Sequence, residues 1–399
     1  MRILIAGAGI GGLSTALCCL ALGHQVTILE QSPRLSEIGA GIQLPPNAMR
    51  VFDKLGLAGK LQQYSAKPAA LTARMGISGR RLFRIPLEQG NAPRWHAPYL
   101  HIHRADYIQV LFNAVTQHTD AKLELATCVS SYKNLANGVS VSCTNARKYD
   151  ADVLVAADGI HSNIRKQMHG RSNPHFSGNI AWRAVAPVEM LGANVPENNA
   201  CVWMGKGRHA VTYRLRCGEL ANFVGVVEAE RNTPQTESWS TQGERSEALE
   251  DFRGWHSCVT SILENAPQLH RWGLFDRAPL TGWTNQRVAL LGDAAHPMLP
   301  FMAQGAAMAV EDAWQLAASL NTYPDSPAEA LQCYAASRRQ RCSKAQRQSS
   351  RNARIFHRKN AMSQTLQYLP LWIGGKLAPS LLARQFDWLY SYDITNNNA

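Results

Sequence analysis

Met1-Arg2-Ile3-Leu4-Ile5-Ala6-Gly7-Ala8-Gly9-Ile10-Gly11-Gly12 opens the chain, and Gln25-Val26-Thr27-Ile28-Leu29-Glu30 follows shortly after. Residues 3–6 are apolar and β-leaning, residues 13–22 carry a helical pattern, and residues 25–29 read as a second strand ending in an acid, so the opening is a βαβ unit. Gly7-x-Gly9-x-x-Gly12 has the spacing of a dinucleotide fingerprint in its proper setting. One glycine makes the turn, the next lets backbone approach a pyrophosphate, and the third lets helix pack on strand, with the helix N-terminus facing the phosphates. Glu30 stands where a carboxylate can bind the hydroxyls of an adenosine ribose. The motif implies an ADP-bearing cofactor and leaves FAD and NAD open. A second trio, Gly205-x-Gly207-x-x-Ala210, precedes Val211-Thr212-Tyr213-Arg214-Leu215, which alternates like a strand instead of opening a helix. It reads as a hairpin turn, which leaves a single nucleotide domain.

Two later segments narrow the cofactor. In Val288-Ala289-Leu290-Leu291-Gly292-Asp293-Ala294-Ala295-His296-Pro297 a buried strand ends in Gly-Asp, delivering a carboxylate to the edge where open α/β sheets bind ligands. An acid there can hydrogen-bond a sugar alcohol such as the ribityl chain of a flavin. Pro297-Met298-Leu299-Pro300 is a stiff loop, and Gln304-Gly305-Ala306-Ala307 opens a helix whose free N–H groups can face a flavin's pyrimidine end. Ala157-Asp158-Gly159 follows another buried strand, residues 152–156. All three pieces make sense together if they close on one FAD.

The 399 residues exceed one compact core and suggest about two domains. With 45% hydrophobic and 18% charged residues the chain is globular. The first residues run straight into a glycine turn, which leaves no place for a signal peptide. No apolar run reaches the roughly 18 to 20 residues that span a bilayer. A cytoplasmic protein without a transmembrane segment is expected. The nine cysteines are scattered, with no Cys-x-x-Cys, so buried free thiols are expected, with neither a disulfide framework nor a metal site. The net charge of +12 leans on the C-terminal part, where nine Lys or Arg and no acid lie between Arg338 and Lys359. Lys344, Arg347, Arg351, Arg354 and Arg358 fall along one side of a helix, read as a solvated face. No nucleic-acid motif accompanies the charge, and nucleic acid is not an expected partner.

The expected fold class is α/β. A discontinuous Rossmann-like FAD-binding domain takes residues 1–72, 98–175 and 276–360, a β-sheet-rich substrate domain (73–97 and 176–275) is inserted into it, and residues 361–399 form a C-terminal helical segment and tail. A helix at Arg104–Thr116, strands at 123–130, 139–143 and 288–291, and a helix at 304–320 complete the outline.

These motifs, with Gly39-Ala40-Gly41-Ile42-Gln43-Leu44-Pro45-Pro46-Asn47-Ala48, His103-Arg104-Ala105-Asp106, Ala157-Asp158-Gly159-Ile160-His161-Ser162 and Phe386-Asp387-Trp388-Leu389-Tyr390, resemble the single-component FAD-dependent aromatic hydroxylases. The closest branch is that of salicylate hydroxylase and 3-hydroxybenzoate 6-hydroxylase, and the resemblance covers nearly the whole chain. It implies FAD at Gly7, Gly9, Gly11, Gly12, Glu30, Gly41, Arg104, Asp158, Gly159, Asp293, Pro300, Gly305 and Ala306, with Arg104 along the phosphates and ribityl chain and Asp293 on the ribityl hydroxyls. Asp158 and Gly159, followed by Ser162 and Arg165, belong to the motif associated with both FAD and a visiting NADH or NADPH. The implied reaction is monooxygenation of a phenolic or aromatic acid: NAD(P)H reduces FAD, O2 adds as a C4a-hydroperoxyflavin, and its distal oxygen attacks the ring.

His209 and Tyr213, four apart on a strand and therefore on one face, are the catalytic candidates, holding a phenol's oxygen and taking its proton. The resemblance associates a His and Tyr at this spacing with that role in the 3-hydroxybenzoate branch. Pro300 departs from that branch, which tends to carry a polar amide there, and matches the salicylate type. Ala181-Trp182-Arg183 falls in the same β-rich region. His296 is read as structural or flavin-adjacent, and Tyr334, Arg338 and Arg341 match a Tyr-x-x-x-Arg-x-x-Arg pattern of structural kind.

Other readings carry different signatures. A disulfide reductase needs a redox Cys pair and a second fingerprint, and a flavin halogenase a Trp-x-Trp-x-x-Ile-Pro stretch; the chain has none of these. A quinone precursor or N-heteroaromatic substrate, and a non-catalytic flavin-binding regulatory module, remain as alternatives. The apolar segment 368–373 is compatible with a homodimer.

Overall fold

Arg2–Ala6 pairs in parallel with Gln25–Leu29 on one side and Val153–Ala156 on the other. Ala121–Glu124 adds outside the first neighbour and Val288–Leu290 outside the second, also in parallel, and Thr284–Asn285 closes that edge antiparallel. Strands from the start, middle and late sequence therefore lie side by side. A parallel sheet is covered on both faces, so its strands are apolar throughout; Ile3, Leu4, Ile5 and Ala6 are all buried. The computed structural model describes residues 1–35, 40–90, 92–171, 174–229, 241–357, 368, 370, 372–375 and 379–396. Gly39, Arg358, Lys359 and positions 369 and 371 of the apolar segment lie outside them.

Several elements match the sequence expectations, and the departures have local causes. The helix Ile10–Ala21 starts three residues early, its first turn closed by Leu13 N donating to the Gly9 carbonyl at 2.9 Å. Instead of one strand over 123–130 there are two, Ala121–Glu124 and Val129–Leu135, since Ala126 takes a left-handed conformation at φ 50° between them. The second of these forms an antiparallel meander with Gly138–Cys143 and Lys148–Ala151.

A second sheet has seven strands in the order Leu269–Asp276, His175–Pro187, Leu220–Glu228, Arg208–Leu215, Ala200–Gly205, Ala70–Met75 and Arg81–Pro86. Gly205 pairs with Arg208 across Gly207, whose φ is 66°, so the second glycine trio is a hairpin turn. One face of this sheet packs Trp182, Ala210 and Phe223 against Phe252, Val259, Ile262 and Leu263 of the helical segment beneath. From the other face Ala181 and Val226 meet Leu299 and Phe301, which belong to the loop after Asp293.

The basic helix, Pro327–Phe356, has a solvated side and a buried one. Lys344, Arg347 and Arg351 are exposed, but Arg338 is wholly buried. Its Nη1 lies 2.7 Å from Glu311 Oε2 and its Nε donates to Asp312 Oδ1 at 2.8 Å. Arg341 donates to Glu311 at 2.7 Å and to the Trp388 and Leu389 carbonyls at 2.7 and 3.0 Å, fastening the C-terminal segment. Charges this deep persist only when paired. Tyr334 donates to the Leu290 carbonyl at 3.0 Å, so the Tyr-x-x-x-Arg-x-x-Arg pattern is structural. All nine cysteines are free, but only five are buried and Cys217 is exposed. Among the described residues no helix is long and apolar enough to cross a membrane.

Candidate active site

Three motif segments meet at the ligand edge of the parallel sheet. Gly7, at φ 100°, would place a Cβ 2.5 Å from the Ala157 carbonyl oxygen, and a Cβ on Gly12 would fall 1.9 Å from the Gly7 oxygen, so both positions admit only hydrogen. A Cβ on Gly11 would meet the Leu291 Cδ2 methyl at 2.9 Å, a side-chain tip that can give. A Cβ on Gly9, by contrast, would meet nothing within 4 Å, and neither would one on Gly159. These two open positions flank a cradle of the kind a pyrophosphate enters, with the N-terminus of Ile10–Ala21 facing it. Glu30 fixes the loop by accepting from Ala8 N at 2.7 Å and Ser32 N at 2.8 Å.

Arg165, noted in the sequence only as following the Asp-Gly motif, ties two of the segments together. Its guanidinium donates to the carbonyls of Asp293 and Ala294 at 3.3 and 3.2 Å and to that of Ile160. Asp158 faces its own helix: Oδ2 accepts from Asn163 N at 2.9 Å, and Ser162 Oγ accepts from Arg165 N at 2.9 Å. Burial pushes the Asp158 carboxyl above its ordinary range although Ser162 and the backbone N–H groups of Ile164 and Asn163 hold it down.

Asp293 is solvent-accessible, yet desolvation by the protein around it raises its carboxyl against the pull of His296, Arg104 and Arg165. Accessible and desolvated together describe the floor of a recess. Pro300 is exposed beside it, and Gly305 and Ala306 open the helix Gly305–Thr322 with free N–H groups in partial contact with solvent. A Cβ on Gly305 would approach Asp293 Oδ1 to 3.8 Å. Open backbone at Gly9 and Gly159, a recessed carboxylate at Asp293 and the cations Arg104 and Arg165 near it fit FAD. His296 lies behind this floor. Its Nε2 is 2.5 Å from Asp312 Oδ2, and although burial alone would lower it, Cys342 and Asp312 raise its imidazole well above the ordinary value. His296, Asp312 and Cys342 crowd within 4.8 Å of one another, but the acid's two oxygens are engaged by His296 and Arg338, so the cluster reads as a proton-linked brace.

On the second sheet, His209 and Tyr213 share the face turned toward this recess. Four residues at about 3.3 Å each separate them by roughly 13 Å along the strand. That is the spacing of their Cα atoms, and the two residues bound a stripe of the sheet face. Between them the cross-strand row Arg183, Val224, Val211 and Val202 is partly exposed, whereas Val226, His209 and Met204 on one side and Asn222, Tyr213 and Ala200 on the other are buried. An apolar row left open in mid-sheet is a surface for a flat ring. Arg183 sits at the end of the row with its guanidinium 4.9 Å from the Trp272 ring centre.

His209 packs against the Phe301 and Phe356 rings, 5.3 and 5.0 Å between centres, and its Nδ1 lies 2.7 Å from His357 Nε2. Burial first, and then His357, holds its imidazole well below the ordinary range, so it is neutral. The Tyr213 ring lies 4.5 Å from that of His101, tilted by 38°, and the buried His101 imidazole is pushed down to about 3. Burial also raises the Tyr213 phenol, so it stays a hydrogen-bond donor. The Cβ direction of Gly41 is filled by Tyr213 at 2.5 Å, and its N–H donates to Asn222 Oδ1 at 2.8 Å. The glycine lets the flavin-side strand Gly41–Leu44 touch the second sheet. A separate cavity of about 220 Å³, lined by Arg74, Glu197, Trp203 and Thr212, opens on the opposite face of the sheet.

Residues 1–349 match the family model described as "FAD binding domain", and the chain belongs to that family. It is 36% identical over 397 residues to 3-hydroxybenzoate 6-hydroxylase 1 of Aquipseudomonas alcaligenes, covering 98% of this chain and 97% of that one. It is 31% identical over 404 residues to 6-hydroxynicotinate 3-monooxygenase of Pseudomonas fluorescens, covering 99% and 96%. Among solved structures a salicylate hydroxylase substrate complex superposes with TM-score 0.81 at 25% identity, covering 99% of this chain and 96% of that one. The protein is an FAD-dependent monooxygenase of the aromatic hydroxylase class, with NAD(P)H as reductant.

Proposed function

We propose that the substrate is a planar ring bearing both a carboxylate and a hydroxyl, hydroxylated at the expense of O2. The open row Arg183–Val224–Val211–Val202, bounded by His209 and Tyr213, carries this reading. Its three valines take the ring face, and Arg183 supplies a cation for the carboxylate. The two relatives described above are named for a hydroxybenzoate and a hydroxynicotinate, which share these two substituents on carbocyclic and nitrogen-containing rings.

In this assignment bound FAD supplies hydride acceptance and oxygen activation. Gly7, Gly9, Gly11 and Gly12 seat its phosphates with Arg104, Glu30 takes the adenosine ribose, and Asp293 binds the ribityl hydroxyls. Asp158 and Gly159 shape the neighbouring turn, Gly305 and Ala306 present N–H groups, and Pro300 and Gly41 border the ring system. Residues 1–72, 98–175 and 276–360 then act as the flavin unit and the second sheet as the substrate unit. Neutral His209 accepts the phenol proton, which makes the ring electron-rich, while Phe301, Phe356 and the valines keep water from the reacting face.

A panel of aromatic hydroxy acids is assayed for stimulated NAD(P)H oxidation, with products identified by mass spectrometry. The reading expects hydroxylated product from at least one member. His209→Ala should slow product formation by about 10²-fold or more and lower the product formed per NAD(P)H; an unchanged ratio across pH contradicts the base assignment.

A further inference from the structure

Behind His209 stand two titratable groups, His357 and Glu228, that the chemistry above does not use. His357, capping the C-terminal end of the helix Pro327–Phe356, places Nε2 2.7 Å from His209 Nδ1. Its Nδ1 lies 3.8 Å from Glu228 Oε1, a gap that one water or a small side-chain shift closes. His209 and His357 are buried, with 2% and 6% of their surfaces exposed, whereas Glu228 reaches solvent at the end of its strand. The three groups lead from the substrate face to the surface through an otherwise apolar wall of Phe301 and Phe356.

We propose that His357 and Glu228 form a proton relay that carries the phenol proton from His209 to solvent. The proposal rests on His209 being the base. In the resting tautomers His209 Nδ1–H donates to His357 Nε2, and His357 Nδ1–H points at Glu228. When the substrate O–H breaks, its proton bonds to His209 Nε2, the Nδ1 proton passes to His357 Nε2, and the His357 Nδ1 proton passes to Glu228 and out. No net charge stays on either buried ring. The same oxygen needs a proton when the hydroxylated ring regains aromaticity, so the relay runs backwards and resets its tautomers within one turnover. Two neighbouring imidazoles cannot both be charged in a buried site, which forces the proton onward instead of leaving it on His209. The helix C-terminus favours a positive charge passing through His357. Besides His357, His209 is faced by the uncharged rings Phe301 and Phe356, and Glu228 lies beside His357.

The test uses the FAD-loaded enzyme with a pH-indicator dye in stopped flow, following proton release when a phenolic acid binds in the absence of NAD(P)H. His357→Gln keeps a hydrogen-bond acceptor for His209 but cannot pass a proton, and Glu228→Gln removes the outlet. Both should bind the acid and keep FAD, yet release the proton at least tenfold more slowly, and added imidazole should restore part of the rate. If His209→Ala abolishes release while both Gln variants release at the parent rate, the base stands and the relay is wrong. If His209→Ala itself releases the proton normally, the base assignment has failed and the relay with it. Should His357→Gln lose FAD or fold poorly, Glu228→Gln at the surface decides the question alone: an unchanged rate there overturns the relay.

Discussion

Alanine at Gly9 and alanine at Gly12 should fail for opposite reasons, although the two glycines sit three residues apart in one motif. At Gly12 the new Cβ would fall 1.9 Å from the Gly7 carbonyl oxygen, so the helix Ile10–Ala21 must retreat by roughly 1 Å from the strand it packs on. Overpacking of this kind costs about 1–3 kcal/mol, and the loss should be visible in the apoprotein. At Gly9 the backbone is extended, with φ −72° and ψ −175°, which any residue adopts, and no protein atom lies within 4 Å of the new methyl. Alanine is only a poorer helix cap there, a penalty of about 1 kcal/mol at most. The methyl instead occupies the open cradle, so FAD affinity should fall at least tenfold, or ~1.4 kcal/mol. Urea unfolding of apoprotein and titration of FAD by fluorescence quenching separate the two effects. Unchanged FAD affinity in Gly9→Ala would refute the assignment of that space to the phosphates. Unchanged apoprotein stability in Gly12→Ala would refute the tight helix–strand contact.

Other consequences can be measured alongside. Asp293→Ala removes a charged acceptor worth about 1.5–3 kcal/mol, so FAD should bind roughly ten- to hundredfold more weakly with little change in apoprotein stability; equal affinity would remove the ribityl role. Arg338→Ala strands Glu311 and Asp312 in the interior and should cost about 3–5 kcal/mol by chemical unfolding. Burial would raise Asp312, but His296 and Arg338 hold it down to about 2 from an ordinary 3.8. Its contribution is therefore complete above about 3.8 and lost as pH falls toward about 2, on the order of 2 kcal/mol. His296 is shifted upward, so its part is complete below its ordinary 6.5 and fades only as pH rises through its raised folded value. Asp312→Asn should flatten the acid limb of the stability profile; an unchanged slope between pH 4 and 2 would show that another carboxyl controls it.

What could be read from the chain was what local spacing encodes. Gly7, Gly9 and Gly12 announce their turn because backbone geometry at each is set by its near neighbours, and the helix Arg104–Thr116 lies where its pattern places it. Asp293 was legible because a strand end followed by Gly-Asp is itself a local signal. The partners of Arg338 were not: its pattern with Tyr334 and Arg341 marks it as structural, but Glu311 and Asp312 lie in a different helix, 26 and more residues earlier. The His209–His357 contact joins residues 148 apart, and no periodicity reports such a pair. Likewise the 13 Å or so between His209 and Tyr213 follows from strand rise alone, but the open valine row that gives the separation meaning depends on the register of four strands.

The central claim is that this fold commits FAD to placing one oxygen atom on an aromatic hydroxy acid. Turnover under isotopically labelled O2 with NAD(P)H and the best substrate of the panel tests it most directly. The account predicts one labelled oxygen in the product for each NAD(P)H consumed. Product without label, or NAD(P)H oxidised only to hydrogen peroxide with every acid tried, would contradict it.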